Sequence, residues 1–393
     1  MALSKIDVAN MLTGATPVAN GGTALTSGFK NGVDPRPLSK PIIVNGDMAV
    51  AQRATSVTSH NAVSYTTVDR FKTVSEVGTY TVIQESLTSG AAYLAGFRNA
   101  LRLDCTTAQA TAGSAGDQTT IEQRIEGFNL SAFKKGTSSA EKYTLAFWVK
   151  ANKTGSNLQV NLRDNTNDRQ IGGTYSIASA DTWEHKVINF AADTSGPFAD
   201  VSTAELLVEW FLDGGGNYSG GAVPTAWESK AHGDRNVTNF DLAGSTNNDW
   251  AITGVQLEVG EFSSTTLPPF QFEDFGDNLA RCQRYYYRIN PHADAAASIG
   301  EASYYSSSAA FVCLEFPVAM RDSPSLEQTT GTNYFNLNRN SANDNFNTFN
   351  NLNASDHTSA HLYIAADISG TAGHGARCRF ENASARLAFS AEL

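Results

Sequence analysis

The strongest constraint on this chain is a period of two. Tyr143, Leu145, Phe147 and Val149 alternate with Thr144, Ala146, Trp148 and Lys150. Leu158, Val160 and Leu162 alternate with Gln159, Asn161 and Arg163, and Leu101, Leu103 and Cys105 alternate with Arg102 and Asp104. Successive side chains of a strand point to opposite faces, so such runs are strands with one face on a core. Segments 79–87, 183–190, 205–212 and 250–259 read the same way, with Gly, Ser, Asn and Asp clusters between them. Strands at this spacing, without long helical periods, predict a β-sandwich of the jelly-roll kind over 40–272. All five Trp fall in that block.

Pro268-Pro269 breaks the pattern. A short helix is expected over 277–288, with Leu279, Cys282 and Tyr286 on one stripe. Strands return at 309–316, 333–338, 360–366, 376–381 and 385–391, so 273–393 reads as a smaller C-terminal β-sandwich and the distal tip. Ten asparagines lie between Asn333 and Asn353, interleaved with Phe335, Leu337, Phe346 and Phe349. Asn favours turns and left-handed positions, which predicts tight strand–loop alternation on an exposed surface. Residues 1–39 differ: Ser4 to Asp7 fits a small capping box, and Pro17–Thr23 and Gly28–Gly32 are turn and linker chemistry. A segment so poor in apolar surface does not fold alone, so it is expected to be an extended arm ordered by a partner. The fold class expected is all-β: an N-terminal arm, a jelly-roll sandwich and a second, smaller sandwich.

Charge narrows the function. There are 28 Lys+Arg against 39 Asp+Glu, a formal net charge of −11, and charged residues are only 17% of the chain. Bulk nucleic-acid binding needs Lys and Arg to neutralise phosphates, so it is not expected. No run of about 18 uncharged apolar residues occurs, which argues against membrane insertion. Lys5 and Asp7 interrupt the place where a signal peptide carries its apolar segment, so no secretory signal is expected. Cys105, Cys282, Cys313 and Cys378 are too scattered for a metal ribbon or a redox CxxC and are expected as small core hydrophobes.

Motifs for catalysis are missing. There is no G-x-S-x-G elbow and no phosphate loop. His357 and His361 are four apart but lead into a strand-like run, where they would stand about 13 Å apart. Thr358 occupies the place of a zincin glutamate, so no metal and no cofactor are expected. The carboxylates Asp47, Asp69, Asp164, Asp168, Asp193, Asp213, Asp249 and Glu258 read as solvated loops and strand faces. A glycosidase would need two of them about 5 or 6.5–9.5 Å apart. The chain is expected not to be an enzyme.

Three regions are candidates for ligand contact. The glycine-rich segment from Asp213 to Trp227 carries Tyr218 and Trp227, which read either as rings on which sugar C–H faces stack or as a lid over the sandwich edge. A face carrying Trp148, Gln159, Asn161 and Arg163 reads as a binding sheet, a subunit contact or solvated surface. At the distal tip, Tyr334, Asn336, Asn338, Phe346 and Phe349 are expected to be exposed. The sequence does not choose between tip and sandwich loop.

Several strings then resemble a family. PVANGGT over Pro17–Thr23 looks like the N-terminal leader of many bacteriophage tail-fibre proteins. Ile42–Arg53 resembles the N-G-D-M-x-x-x-Q-R opening of phage tail-fibre and minor structural proteins, and Tyr65 with Val68-Asp69-Arg70-Phe71 fits its sequel. Phe147–Ala151, Trp183–Phe190 and Trp250–Glu258 resemble strands of carbohydrate-binding jelly rolls. In those modules the opening Asn-Gly-Asp and the late strand can flank a structural calcium, but here Thr253 stands where an acidic residue often does. Asp277–Arg288 is similar to the L-x-x-C-Q-R-Y-Y string before a terminal domain, and Phe316–Pro324 and Phe389–Leu393 fit the same pattern.

The resemblance implies a virion protein rather than a cellular enzyme. It implies a homotrimeric tail fibre, made in the host cytoplasm, mounted on other virion proteins through residues 1–39 and binding a host surface glycan or other receptor. A capsid-mounted head fibre or decoration protein, and a polysaccharide-degrading tail enzyme, are the alternatives; the repeated rungs of a β-helix spike are lacking.

Overall fold

The structure is a computed structural model that describes residues 36, 38–290 and 293–393. The expected capping box and nearly all of the expected arm lie outside the described residues. Among the described residues no helix is long and apolar enough to cross a membrane.

The first core lies between two antiparallel sheets. A six-strand sheet runs in the order Ser56–His60, Thr79–Ser86, Asn99–Thr107, Asp249–Val259, Tyr143–Ala151, Glu184–Phe190. A seven-strand sheet runs Glu228–Ser229, Arg169–Ser176, Asn157–Asp164, Ala204–Gly214, Gln118–Glu126, Lys72–Ser75, Val63–Tyr65. The chain changes sheet from Asn99–Thr107 to Gln118–Glu126, back to Tyr143–Ala151 and again to Asn157–Asp164, which is jelly-roll wiring. The alternation explains the packing. Leu145, Phe147 and Val149 from one sheet meet Leu158, Val160, Leu162 and Trp210 from the other, all essentially fully buried.

A second core, from Ile289 to Ala391, lies between a three-strand sheet (Tyr286–Ile289, Leu387–Ser390, Ser325–Gln328) and another seven-strand sheet. The latter runs Ala342–Phe346, Phe335–Arg339, Gly375–Phe380, Ser298–Tyr304, Ala310–Glu315, Ser359–Ile364, Asn351–Ser355. The molecule is thus an all-β pair of sandwiches, as the strand spacing predicts.

Four expectations need correction. Of the carboxylates expected on solvated loops and strand faces, Asp69, Asp164, Asp193, Asp213, Asp249 and Glu258 are buried, each accepting hydrogen bonds. The helix is Phe275–Gln283, capped by the Asp274 carboxylate accepting from Gly276 N–H, and it ends before Tyr286. Aromatic residues favour strands, and the run from Tyr286 is captured by Leu387–Ser390, Tyr287 pairing with Phe389. Cys313 is exposed, because Ala310 and Val312 point inward and the pleat turns their neighbours outward. His361 is likewise an exposed strand residue, and His357 lies before that strand.

The two sandwiches are joined by buried polar groups. Arg284 and the Tyr285 hydroxyl both donate to the Glu126 carboxylate, which is almost fully buried. Gln52 Nε2 donates to the carbonyl of Tyr286, while Arg288 Nη1 donates to the carbonyls of Gln52 and Arg53. Glu392 accepts from Arg70 and Arg53, and the Leu393 carbonyl accepts from the Tyr65 hydroxyl. Buried polar groups need such partners, and here they are supplied across the joint.

Candidate functional site

Tyr218 and Trp227 were candidates for ligand contact, but the loop carrying them is fastened down. Glu209 projects from the strand Ala204–Gly214 on the outer face of the seven-strand sheet. It is fully buried by the covering loop. Arg235 donates to both its oxygens, Arg163 Nη1 donates to Oε1 at 3.1 Å, and Asn161 Nδ2 donates to Oε2 at 3.1 Å. Burial opposes the charge of Glu209, yet the two guanidiniums and these bonds hold its carboxyl well below the usual range. Asn161 Nδ2 also reaches the Arg235 carbonyl and Gln159 Nε2 the Asp234 carbonyl, so the loop is hydrogen-bonded onto the sheet.

In consequence Tyr218 is only 7% exposed and its hydroxyl donates to the Gly116 carbonyl at 2.9 Å. Trp227 is 8% exposed, its Nε1 donates to the Ala191 carbonyl at 2.8 Å, and its ring packs on Tyr143. Trp227 is a lid on the core, the second of the two readings above. The supposed polar face is also divided: Gln159, Asn161 and Arg163 lie under this loop on one sheet, while Trp148 belongs to the other.

The distal candidates separate by parity. Phe335–Arg339 and Ala342–Phe346 form a hairpin whose two turn residues, Asn340 and Ser341, both have positive φ. Phe346 and Phe349 face inward against Phe335 at 5.5 and 4.9 Å and are buried, not exposed. Asn336 is buried too, donating to Asn345 across the hairpin. Asn338 makes the next rung with Asn343 at 2.8 Å and is half-buried, as is Tyr334, which packs on the second core. The asparagines therefore form a cross-strand ladder instead of a row of free loops.

A different cleft gathers aromatic rings on the outer face of the six-strand sheet. Trp148 points outward from Tyr143–Ala151 beside His185, their rings 5.0 Å apart, with His185 directly across the strand pair. The neighbouring strand Asp249–Val259 has a bulge between Thr253 and Gln256, where Gly254 adopts φ +61°. A Cβ there would lie 2.6 Å from the Phe97 ring and 2.9 Å from Trp148, so only glycine lets both rings reach the sheet. The segment from Ser264 to Phe272 crosses above, held by Gln256 Nε2 donating to the Pro268 carbonyl at 3.1 Å. It adds Phe270 and Phe272, which meet Phe97 at 4.9 and 5.1 Å. Phe272 is still 50% exposed. The result is a cleft of about 420 Å³ with rings on three sides and no Asp or Glu in its wall among the described residues. Aromatic walls with few polar groups are the usual make-up of small-ligand clefts.

Sequence reading named Trp148 but not His185, Phe97, Phe270 or Phe272. A glycine inside a strand pattern marks close backbone approach, and Gly254 between Thr253 and Val255 was that signal.

No protein-family model matches the chain, and no curated protein sequence is similar to it. Among solved structures, 56% of the chain is similar to the enzymatically active domain of tailspike protein 4 of bacteriophage CBA120, at 10% identity and a TM-score of 0.27. The match spans 21% of that tailspike chain. A family 16 carbohydrate-binding module is matched over 45% of this chain and 84% of the module, at 13% identity and a TM-score of 0.23. The CBM22-1–GH10 modules of endo-1,4-β-D-xylanase 10B from Clostridium thermocellum are matched over 57% of this chain and 29% of theirs, at 12% identity and a TM-score of 0.27.

Proposed function

We propose that this chain is a virion attachment protein that binds a host surface glycan in the Trp148 cleft, and that it acts by binding, without catalysis. The observation that carries the reading is the cleft itself: Trp148, His185, Phe97, Phe270 and Phe272 present ring faces and edges to one hollow about the size of a few sugar units. Apolar C–H faces of a sugar stack on such rings, while Gln256 and Ser264 supply hydrogen bonds. Hydrolysis would need two carboxyl groups flanking the bond, and none of the described residues of the cleft wall is an Asp or Glu. A place in the virion is supported by the ordered strings at Ile42–Arg53, Asp277–Arg288 and Phe389–Leu393. A homotrimeric tail fibre mounted through residues 1–39 is the preferred form.

Trp148→Ala tests the binding reading. Loss of a central aromatic contact is expected to weaken glycan binding and particle adsorption by about tenfold or more, with a far-ultraviolet circular dichroism spectrum that stays that of the folded parent. Adsorption equal to the parent would overturn it, as would release of reducing ends from host glycan. Labelling particles with antibody against residues 273–393 separates tail from capsid mounting.

A further inference from the structure

A second cleft, of about 370 Å³, opens where the two sandwiches meet. Its floor is the outer face of the three-strand sheet. Arg288 lies opposite Ala388, and Ala388 lies opposite Glu327 on the third strand. The small Ala388 leaves a hollow between them, and Glu327 is two strand spacings, about 9–10 Å, from Arg288 along the backbone. Arg386 precedes Ala388 by two residues and so shares its face. The far wall comes from the first sandwich: Arg53, His60, Ser64 and Tyr65.

The charges here are unbalanced. Arg53 is occupied, paired with Glu392 at 3.2 Å and stacked 3.5 Å over the Tyr286 ring. Arg288 and Arg386 have no carboxylate within ion-pair distance among the described residues. Each is held rigid through Nη1 alone: Arg288 on the carbonyls of Gln52 and Arg53, Arg386 on those of Ala383 and Ala385. That leaves the Nε–Nη2 edge of each guanidinium unused, and Arg288 Nε is buried without a partner. His60, only 6% exposed, also lines the cleft, and its Nε2 has no partner among the described residues. Burial and the nearby charge of Arg386 both lower the pKa of Arg288, a cost that a bound anion would relieve.

A fixed Nε–Nη2 fork matches the two oxygens of a carboxylate, and an arginine pair on one wall matches an anion entering between them. From this geometry we infer that the interdomain cleft is a second saccharide site, one that takes the carboxylate of an acidic sugar residue on the Arg386 fork and Arg288 Nη2. It rests on different residues from the Trp148 cleft and is separable from it. Ser64 lines the same hollow and meets the sugar hydroxyls, while Gln328 and Thr329 are taken up by the Phe349 backbone and by Ser384 and Arg386.

The test is calorimetric titration of the full chain with a galacturonate tetramer, a neutral galactose tetramer, inorganic phosphate and a glutamate-rich peptide. The acidic tetramer is expected to bind, more weakly as salt rises, and the neutral one not to compete for the site. Arg386→Gln should weaken binding about tenfold or more, as loss of a charge-assisted bond does. Arg288 also clamps the joint, so Ser64→Asp is the second variant: it leaves both arginines and adds a like charge to the wall, and should abolish binding. Trp148→Ala should leave uronate affinity unchanged even where it removes host adsorption. Absence of uronate binding, or parental affinity in folded Arg386→Gln and Ser64→Asp, would overturn the inference. Equal affinity for phosphate would reduce the cleft to an unspecific anion site, and tighter binding of the peptide would make it a protein-docking site; either result overturns the saccharide assignment.

Discussion

Glu392→Gln removes the one carboxylate that answers a buried charge at the joint between the sandwiches. Arg70 is about 1% exposed, and its guanidinium lies 3.5 Å over the Tyr285 ring. Nη1 donates to Glu392, Nη2 donates to the Arg124 carbonyl at 2.7 Å, and Nε has no partner among the described residues. Burial works against its charge, but the Glu392 carboxylate more than compensates and raises its pKa above the usual arginine value. Removing one partner of a buried pair costs about 3–5 kcal/mol, because the remaining charge stays desolvated. An amide still accepts one bond, so about 3 kcal/mol is expected here. Arg53, the other partner, adds little because its stacking on Tyr286 survives. At about 2–4 °C per kcal/mol, the melting temperature should fall by about 6–12 °C.

The assay can localise this loss. All five Trp lie in the first sandwich, so tryptophan fluorescence reports that body and far-ultraviolet circular dichroism reports both. In the variant the dichroism transition should precede the fluorescence transition. Adding Arg70→Met should recover most of the loss, since an apolar replacement of a buried pair is often neutral. Coincident transitions within about 1 °C of the parent would refute the view that this pair couples the sandwiches.

Asp69 sets a pH dependence at the same joint. Burial pushes its pKa up to about 6, against hydrogen bonds from Gln52 N–H and Nε2 that lower it. A folded pKa above the unfolded one gives stability that is present below about pH 4 and lost as pH rises through about 6. Asp69→Asn should therefore gain on the parent by up to roughly 3 kcal/mol between pH 4 and pH 7.5 in urea midpoints; an equal difference at both pH values would contradict this. Gly254→Ala should cost about 1–3 kcal/mol from its left-handed backbone and displace Trp148, lowering thermal stability and glycan binding together. Parental values for both would show that the bulge does not position the ring.

Much of the architecture was legible because apolar residues recur at every second position of the central strands, even where loops bury the outer face as well. Tyr143–Ala151, Asn157–Asp164 and Ala204–Gly214 carry apolar residues on the core face in register. Gln118–Glu126 was missed for the opposite reason. Gln123 shares the inner face with Ile121 and Ile125 and is bonded to Val44, while Glu126 on the outer face is buried by Arg284 and Tyr285, so polarity does not alternate along it and nothing marks it as a strand. The candidate residues failed on a related point. Phe346 and Phe349 look exposed among asparagines, yet hairpin parity places Phe346 on the inner face and an Asn ladder on the outer one, and Phe349 packs on Phe335 and Phe346. Nothing in the local sequence tells that Tyr218 is covered, because the cover is fastened by Glu209 and Arg235, 26 residues apart.

The strings that carried the family resemblance have a common address. Asn45 holds the carbonyls of Val50 and Asp69 and meets Asn278, Gln52 reaches Asp69 and Tyr286, Arg70 meets Glu392, and Arg321 donates to the carbonyls of Ala391 and Ser202. The opening string, its sequel, the helix string, the Phe316–Pro324 string and the closing string all converge on one joint. A motif whose residues bond to one another reports how the second sandwich is set on the first. It says nothing of what either binds. The groups argued here to meet ligand, Trp148, His185, Phe272 and Arg386, stand on outer faces away from that joint. Arg53 and Arg288 are the exceptions, lying within the strings and in the interdomain cleft at once. A substitution at either would therefore change the joint and the cleft together, whereas Arg386 and Ser64 give access to the cleft alone.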